Sequence, residues 1–186
     1  MAKIVIGLVG PIASGKGTVI DILKNKGYTP YSLSDALKEE IRARGLEITR
    51  FNCNRISNEL RETQEADVLA RRTVEVIDQD KPELVAIDAI RNPLEIKFLQ
   101  NKFGAKIIGV VADRKKRYKM FRERGTYTDE IQTFEQFKEL DDREFAQAGE
   151  HKQQIKACLE LSDVVIDNNG TIEELRQKVY EFISSI

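Results

Sequence analysis

A glycine-rich segment near the start of the chain has the residue types and spacing that bind phosphate groups. It follows the apolar run from Lys3 to Val9 and precedes a stretch from Val19 that opens like a helix. Glycines allow backbone conformations that turn N–H groups inward, and a helix N-terminus adds a positive dipole end. We therefore predict a nucleotide phosphate site in this segment. Its residues are Gly10, Ile12, Ala13, Ser14, Gly15, Lys16, Gly17 and Thr18.

Two side chains of this segment could act on the phosphates themselves. Lys16 is expected to bridge the terminal phosphates, and Thr18 is the nearest hydroxyl that could approach a magnesium ion. The alternative is an ordinary strand-to-helix turn with a surface lysine. The strand before the loop and the helix after it favour the phosphate site, because the motif requires that context.

A second candidate site follows the apolar run at 83–88, which ends on Asp88. An aspartate that ends a buried strand next to a phosphate loop can hold magnesium, directly or through water. Arg91, three residues later, could reach an acceptor phosphate with its planar guanidinium. In the alternative interpretation, Asp88 caps a turn and Arg91 pairs with a surface carboxylate such as Glu95.

Short apolar runs alternate with longer helical patterns along the chain. The predicted strands cover 3–9, 28–33, 83–88, 106–112 and 163–167. The predicted helices cover 17–26, 34–44, 54–79, 93–101, 114–124, 133–147, 150–161 and 171–183. Strands that are apolar on both faces require helices on each side of the sheet. We therefore predict an α/β fold with a doubly wound, five-stranded parallel sheet.

Composition and charge narrow the class of protein. The 186 residues carry a formal net charge of −1, so no overall field attracts nucleic acid or an anionic membrane. The sequence contains neither an apolar run of membrane-span length nor a signal-peptide pattern. Cys53 and Cys158 give neither a zinc spacing nor a disulfide framework. We expect a cytoplasmic protein with a single domain over 1–186.

The Gly-Lys-Gly-Thr order at 15–18 has glycine after the lysine, where the general phosphate-loop pattern has serine or threonine. This variant resembles that of adenylate kinases, and the chain is similar to the nucleoside monophosphate kinase group, within the wider set that includes dephospho-CoA kinase. The resemblance covers essentially the whole chain. It implies the P-loop NTPase fold, with ATP and Mg²⁺ as cofactors and a nucleotide-like small molecule as acceptor. We expect no nucleic-acid or membrane partner, and a monomer or weak oligomer.

The resemblance also implies a helical acceptor-side region at 34–80. There, Arg61 matches the arginine that clamps a monophosphate in this kinase group, with Arg50 and Arg55 as competitors. Asp35 could orient the acceptor phosphate or sugar, although Ser34 and Asp35 could equally cap a helix.

A basic helix and lid region is expected at 114–147. Seven of the twelve residues from Asp113 to Arg124 are basic. By resemblance, Arg124 and Arg143 are lid arginines that neutralise the transferring phosphate, and Asn168 contributes to the adenine pocket. Met120 stands where many relatives place an arginine that stacks on the base. The alternative is a solvated basic helix that makes i,i+4 ion pairs.

Two functions remain in competition. The favoured one is an ATP- and Mg-dependent phosphotransferase that acts on a (deoxy)nucleoside monophosphate or on dephospho-CoA. The alternative is a nucleotide-binding regulatory or partner-binding P-loop ATPase without a small-molecule acceptor. Phosphoryl transfer needs positioning and charge neutralisation rather than covalent participation. That requirement fits a chain whose sole histidine, His151, lies on a predicted polar helix.

Overall fold

A computed structural model of the chain describes residues 4–125, 131–145, 149 and 152–186. The predicted strand start at Lys3, residues 126–130 and 146–147 of the predicted lid region, and His151 lie outside these residues. The strands are β1 (Ile4–Val9), β2 (Thr29–Ser32), β3 (Leu84–Asp88), β4 (Lys106–Val111) and β5 (Val164–Asp167). The helices are α1 (Lys16–Lys24), α2 (Leu33–Ala43), α3 (Arg50–Thr63), α4 (Val68–Asp80), α5 (Pro93–Phe103), α6 (Arg114–Arg124), α7 (Phe134–Phe145), α8 (Ile155–Glu160) and α9 (Ile172–Ile183).

The five strands form one sheet in the order β2-β3-β1-β4-β5, and every neighbouring pair is parallel. The predicted α/β fold with a five-stranded parallel sheet is therefore confirmed. Chain order reverses beside β1, so the carboxyl ends of β1 and β3 open onto the crevice where ligands of such sheets bind. The register pairs Gly7 of β1 with Ile87 of β3, which puts the end of β3 beside the glycine-rich loop.

Helices cover both faces of the sheet, as the two-sided apolar strands predict. On one face, Val5 and Val9 of β1 join a buried cluster with side chains of α2, α3, α4 and α5. On the other face, Ile6 and Leu8 of β1 join a second cluster with side chains of α1 and α9. The alternation along β1 follows from the two-residue period of a strand.

Several helix boundaries differ from the sequence-based expectation; α3 begins at Arg50 rather than at 54, and α8 begins at Ile155 rather than at 150. The N-cap of α2 is Ser32, whose hydroxyl accepts the Ser34 N–H, so the expected capping by Ser34 and Asp35 was wrong. The single helix expected over 54–79 is divided into α3 and α4. The division falls at Gln64, whose ψ of −89° departs from helical geometry.

The start of α5 at Pro93 agrees with the helix predicted over 93–101. Asn92 is the N-cap, Pro93 occupies the first turn, and Glu95 completes a capping box by accepting the Asn92 N–H. This arrangement satisfies backbone donors that a helix N-terminus otherwise leaves without partners. It also fixes the path of the loop that joins Asp88 to α5.

Candidate active site

The glycine-rich loop connects the end of β1 to the start of α1 with a backbone that only small residues can adopt. Gly10 has a φ of 146°, and a Cβ added there would lie 2.2 Å from the Val110 carbonyl oxygen. Gly15, the N-cap of α1, has a φ of 104°. Ala13 also has a positive φ, of 56°. Strain of this kind is concentrated at ligand-binding sites.

The loop and the first turn of α1 retain polar groups suited to an anion. The Ser14 hydroxyl is buried, and within the described residues it has no hydrogen-bond partner. Gly15 supplies no side chain to cap α1, so the first N–H groups of the helix have no capping side chain. Gly17 and Thr18 stand in this first turn, where N–H groups and the helix dipole favour negative charge.

Lys16 holds the loop closed, and its pKa is lower than that of an ordinary lysine. Its ammonium donates hydrogen bonds to the Gly10 and Pro11 carbonyl oxygens, at 2.9 Å each. Burial lowers the pKa of Lys16 to about 8; the Asp88 carboxylate opposes this shift and the Arg91 guanidinium reinforces it. Perturbed pKa values of this size are typical of functional sites.

Asp88 ends β3 beside the loop, as predicted. Its Oδ1 is buried and makes no hydrogen bond within the part of the chain that the structure describes. The next residue, Ala89, has a φ of 63°, so the backbone turns sharply as it leaves the sheet. A buried carboxylate oxygen without a donor is unfavourable unless a ligand completes it.

A cleft of about 270 Å³ runs from the glycine-rich loop to α3 and α8. Its phosphate end contains Gly10, Ile12, Ala13, Lys16 and Asp88. Its far end contains a few apolar side chains and many polar ones. Residues at this end include Ser34, Arg50, Cys53, Asn54, Ser57, Arg61, Arg91, Glu144 and Gln153. The structure thus brings together residues that lie far apart along the chain.

Arg61 reaches the cleft from a fully buried position. Its side chain is 1% exposed and pairs with Glu95, whose Oε1 lies 2.9 Å from Arg61 Nη2. Arg61 Nη1 has no hydrogen-bond partner among the described residues. The predicted acceptor arginine therefore has a free N–H group, and its other donors fix its orientation.

Arg91 also lies at the far end of the cleft. Its Nη1 donates to Gln153 Oε1 at 2.9 Å and lies 3.8 Å from Glu144 Oε2. The Glu95 that sequence reasoning offered as a surface partner is instead buried and accepts the Arg91 backbone N–H. The side chain of Arg91 remains available to a ligand in the cleft.

Glu144 is a site residue that the sequence prediction missed. It is buried, lines the cleft and forms an ion pair with Arg50. Its neighbour Arg143, predicted as a lid arginine, is exposed and does not line the cleft. The buried positions of α7 are Phe137, Leu140, Asp141 and Glu144, a helical spacing that could have identified Glu144.

Two arginines of α6 have different environments. Arg124, the predicted lid arginine at the end of α6, lines the cleft and influences the pKa of Lys16. Arg117 is buried and was missed: its guanidinium donates to the Ile12 carbonyl oxygen at 3.1 Å and to both Asp141 carboxylate oxygens. Arg117 thereby braces the glycine-rich loop against α7, so part of the basic helix serves packing.

Asn168, which follows β5, contacts the glycine-rich loop. Its side chain is buried and donates from Nδ2 to the Ser14 carbonyl oxygen at 2.9 Å. The Lys116 ammonium donates to the carbonyl oxygens of Asn168 and Gly170. Met120 approaches the same place, since its Cε lies 3.9 Å from a Cβ added at Gly15.

Two further predicted residues, Asp35 and Arg55, do not line the cleft. Asp35 lies outside the cleft, with its carboxylate largely exposed and paired to Lys38. Arg55 is exposed and donates to Asn52, whereas its competitor Arg50 lines the cleft. Among the described residues, no cluster of three or more metal-binding side chains occurs, and none of the helices there is long and apolar enough to span a bilayer.

Residues 6–171 match the family model AAA_18, which describes an AAA domain. The chain is 29% identical over 186 residues to a UPF0200/UPF0201 protein of Archaeoglobus fulgidus; the match covers 96% of this chain and 54% of that protein, so the chain spans about half of its length. It is 28% identical over 183 residues to a UPF0200 protein of Methanosarcina mazei, covering 97% of this chain and 94% of that protein.

Two solved structures show the same fold. One is dephospho-CoA kinase from Campylobacter jejuni, with a TM-score of 0.55, 16% identity and coverage of 99% of this chain and 96% of that chain. The other is shikimate kinase from Aquifex aeolicus, with a TM-score of 0.52, 15% identity and coverage of 98% and 97%. The family match shows that this chain belongs to the AAA domain family, and its fold is shared with these two P-loop kinases.

Proposed function

We propose that the protein is an ATP- and Mg²⁺-dependent phosphotransferase whose acceptor is a nucleotide-like small molecule, either a (deoxy)nucleoside monophosphate or dephospho-CoA. One observation carries the proposal: Lys16 and Asp88 face the same cleft as the guanidinium groups of Arg61 and Arg91. A triphosphate held by the first pair would present its γ-phosphoryl group to an acceptor held by the second.

The glycine-rich loop is suited to hold the β- and γ-phosphates of ATP. The uncapped first turn of α1 offers N–H groups, and the Ser14 hydroxyl has no partner within the described residues. In the complex, the Lys16 ammonium would exchange the carbonyl oxygens of Gly10 and Pro11 for phosphate oxygens. That exchange places a positive charge where negative charge accumulates during transfer.

Asp88 and Thr18 are the residues that would hold magnesium. The Asp88 Oδ1, buried and unpartnered in the described part of the chain, is the kind of hard oxygen donor that this ion requires. Thr18 stands in the first turn of α1, where its hydroxyl could contribute a further oxygen. When bound, Mg²⁺ would neutralise charge on the β- and γ-phosphates.

The proposed reaction is an in-line displacement. An acceptor oxygen attacks the γ-phosphorus of ATP, the bond from that phosphorus to the β–γ bridging oxygen breaks, and ADP leaves. Lys16 stabilises the transferring group from the loop side, and Arg124 is placed to do so from the end of α6. Positioning and charge stabilisation of this kind supply most of the acceleration in phosphoryl transfer.

An acceptor that already carries phosphate suits the far end of the cleft. The guanidinium groups of Arg50, Arg61 and Arg91 all line that end. Arginine binds phosphate oxygens with paired N–H donors. A monophosphate acceptor also needs no general base, because its attacking oxygen is ionised at neutral pH.

A transfer assay tests this function. Radiolabel from γ-labelled ATP is followed into products across nucleoside monophosphates and dephospho-CoA, with Lys16→Ala as the inactive variant and the exposed Lys24→Ala of the same helix as its control. We expect label transfer to at least one acceptor, its loss in Lys16→Ala and its retention in Lys24→Ala. Hydrolysis that no acceptor stimulates would instead support a regulatory or partner-binding ATPase.

A further inference from the structure

Glu95 is a fully buried carboxylate that the proposed transfer does not use. It lies in the first turn of α5 with an exposed fraction of 0%. Its capping box alone does not require burial, because Glu174 completes the same motif at the start of α9 while exposed. A buried carboxylate is unfavourable unless its oxygens are well paired, so its partners define its role.

The two oxygens of Glu95 serve two different parts of the acceptor end. Oε1 accepts hydrogen bonds from Arg61 Nε at 3.2 Å and from Arg61 Nη2 at 2.9 Å. Oε2 accepts the backbone N–H groups of Arg91 at 2.8 Å and of Asn92 at 3.0 Å. One carboxylate thus links α3 to the loop that follows Asp88.

These bonds leave Arg61 Nη1 and the side chain of Arg91 to interact with a ligand in the cleft. With Nε and Nη2 of Arg61 held, Nη1 is the nitrogen without a partner in the described residues. The bonds to Oε2 fix the backbone of the loop, which contains the strained Ala89 and carries the Arg91 side chain into the cleft. Strained backbone of this type persists only where the surroundings hold it in place.

We propose that Glu95 is a positioning residue: it aims Arg61 at the acceptor and fixes the loop that carries Arg91. The inference rests on the proposed phosphotransferase function and deepens it. Its ligand class is an acceptor with a phosphate monoester, which would meet Arg61 Nη1 and the Arg91 guanidinium together. The hydrogen bonds of Glu95 go to Arg61, Arg91 and Asn92 and not to the glycine-rich loop, so ATP binding should depend on Glu95 far less than acceptor binding does.

The test compares Glu95→Gln with Glu174→Gln, which alters the capping glutamate of α9 in the same way. An amide presents N–H donors on one side, so it cannot accept from Arg61 and from the loop together. For Glu95→Gln, we expect the acceptor KM to rise about tenfold or more, as when a bond to a charged group is lost, with the ATP KM within about twofold of wild type. Glu174→Gln should leave both constants unchanged.

A second variant covers the case in which Glu95→Gln does not fold, since it leaves the Arg61 charge unpaired. Glu95→Asp keeps the negative charge beside Arg61, but its side chain is one methylene shorter and cannot keep the hydrogen bonds to Arg61 and to the loop together. Folding is checked by circular dichroism and by calorimetric ATP binding. A Glu95→Asp variant that folds and raises the acceptor KM alone supports the inference; one that does not fold, or that keeps its acceptor KM, overturns it and makes the pair structural.

The outcomes separate this inference from the proposed function. A wild-type protein that transfers phosphate to no acceptor overturns the phosphotransferase, and the inference with it. A wild-type protein that transfers phosphate while Glu95→Gln keeps its acceptor KM, or loses acceptor and ATP affinity equally, overturns only the role of Glu95.

Discussion

The Asn168 side chain donates a hydrogen bond from Nδ2 to the Ser14 carbonyl oxygen, 2.9 Å away and 154 positions earlier in the chain. The bond joins the loop after β5 to the glycine-rich loop. Gly15 makes it possible, because a Cβ added there would lie 2.2 Å from Asn168 Nδ2. Asn168 was predicted to contribute to an adenine pocket, and this contact gives it a second task, which is to hold the shape of the phosphate site.

Asn168→Ala should therefore weaken ATP binding. The Ser14 carbonyl oxygen would lose its partner, and an unsatisfied buried acceptor costs about 1 to 3 kcal/mol. If that cost falls on the loop, the Kd for ATP rises about fivefold or more. Asn169→Ala, at the exposed neighbouring position, is the control. Calorimetric titration with ATP measures both; equal affinity in the two variants would contradict the bracing role.

Glycine replacement should separate required positions of the loop from tolerant ones. Gly10→Ala would bring a Cβ within 2.2 Å of the Val110 carbonyl oxygen at a φ of 146°, so we expect a loss of about 3 kcal/mol or more in the free energy of unfolding. Gly17→Ala meets nothing within 4 Å and lies in a helix. Its stability should stay within about 1 kcal/mol of wild type.

Denaturant titration gives both free energies, and ATP titration shows whether the Gly17 variant keeps its phosphate site. Retained binding would mean that the glycine after Lys16, where serine or threonine is common, is not needed for backbone geometry. A Gly10 variant as stable as wild type would show that β4 and the loop can move apart. That result would contradict the close packing of these segments.

The sheet and the phosphate site could be predicted because their signals are local. Apolar runs identify the strands, and the spacing of Gly10, Gly15 and Lys16 identifies the loop without knowledge of the rest of the fold. The position of Asp88 followed from the expectation that its strand neighbours β1, and the sheet order confirms that neighbourhood. These predictions needed only the periodic spacing of apolar residues along the chain and general rules for parallel sheets.

The acceptor end could not be predicted to the same degree, because its residues meet across long stretches of chain. Glu144 pairs with Arg50 over 94 positions, and Arg117 reaches the Ile12 carbonyl oxygen over 105. Charged residues on helices usually face solvent, so their types alone gave no reason to bury them. The resemblance predicts Arg143 as a lid arginine, whereas the phase of α7 buries its neighbour Glu144.

Of the two arginines that compete with Arg61, Arg50 should affect acceptor binding and Arg55 should not. Arg50 lines the cleft and pairs with Glu144, while Arg55 is exposed and donates to Asn52. In Arg50→Gln we expect the acceptor KM to rise about tenfold or more, since one charged donor to the acceptor is lost. Arg55→Gln is the matched control, and steady-state kinetics at saturating ATP measure both. Similar KM values in the two variants would remove Arg50 from the acceptor site.

Proton uptake on ATP binding should report the charge state of Lys16. In the free protein its pKa is lowered to about 8, so at pH 8.5 most molecules carry the neutral amine. Phosphate oxygens favour the ammonium form of Lys16 and raise its pKa. On ATP binding, Lys16 should therefore take up about half a proton or more at pH 8.5 and almost none at pH 6.5. Above pH 8 the affinity should therefore fall as pH rises.

Calorimetry in buffers of different ionisation enthalpy measures this uptake directly. At pH 8.5 the triphosphate is already fully ionised, so its own titration adds little. Lys16→Arg is the control, because a guanidinium stays protonated throughout this range and should bind ATP without uptake. Equal uptake in the wild type and in Lys16→Arg would assign the proton to another group and would leave Lys16 charged in the free protein.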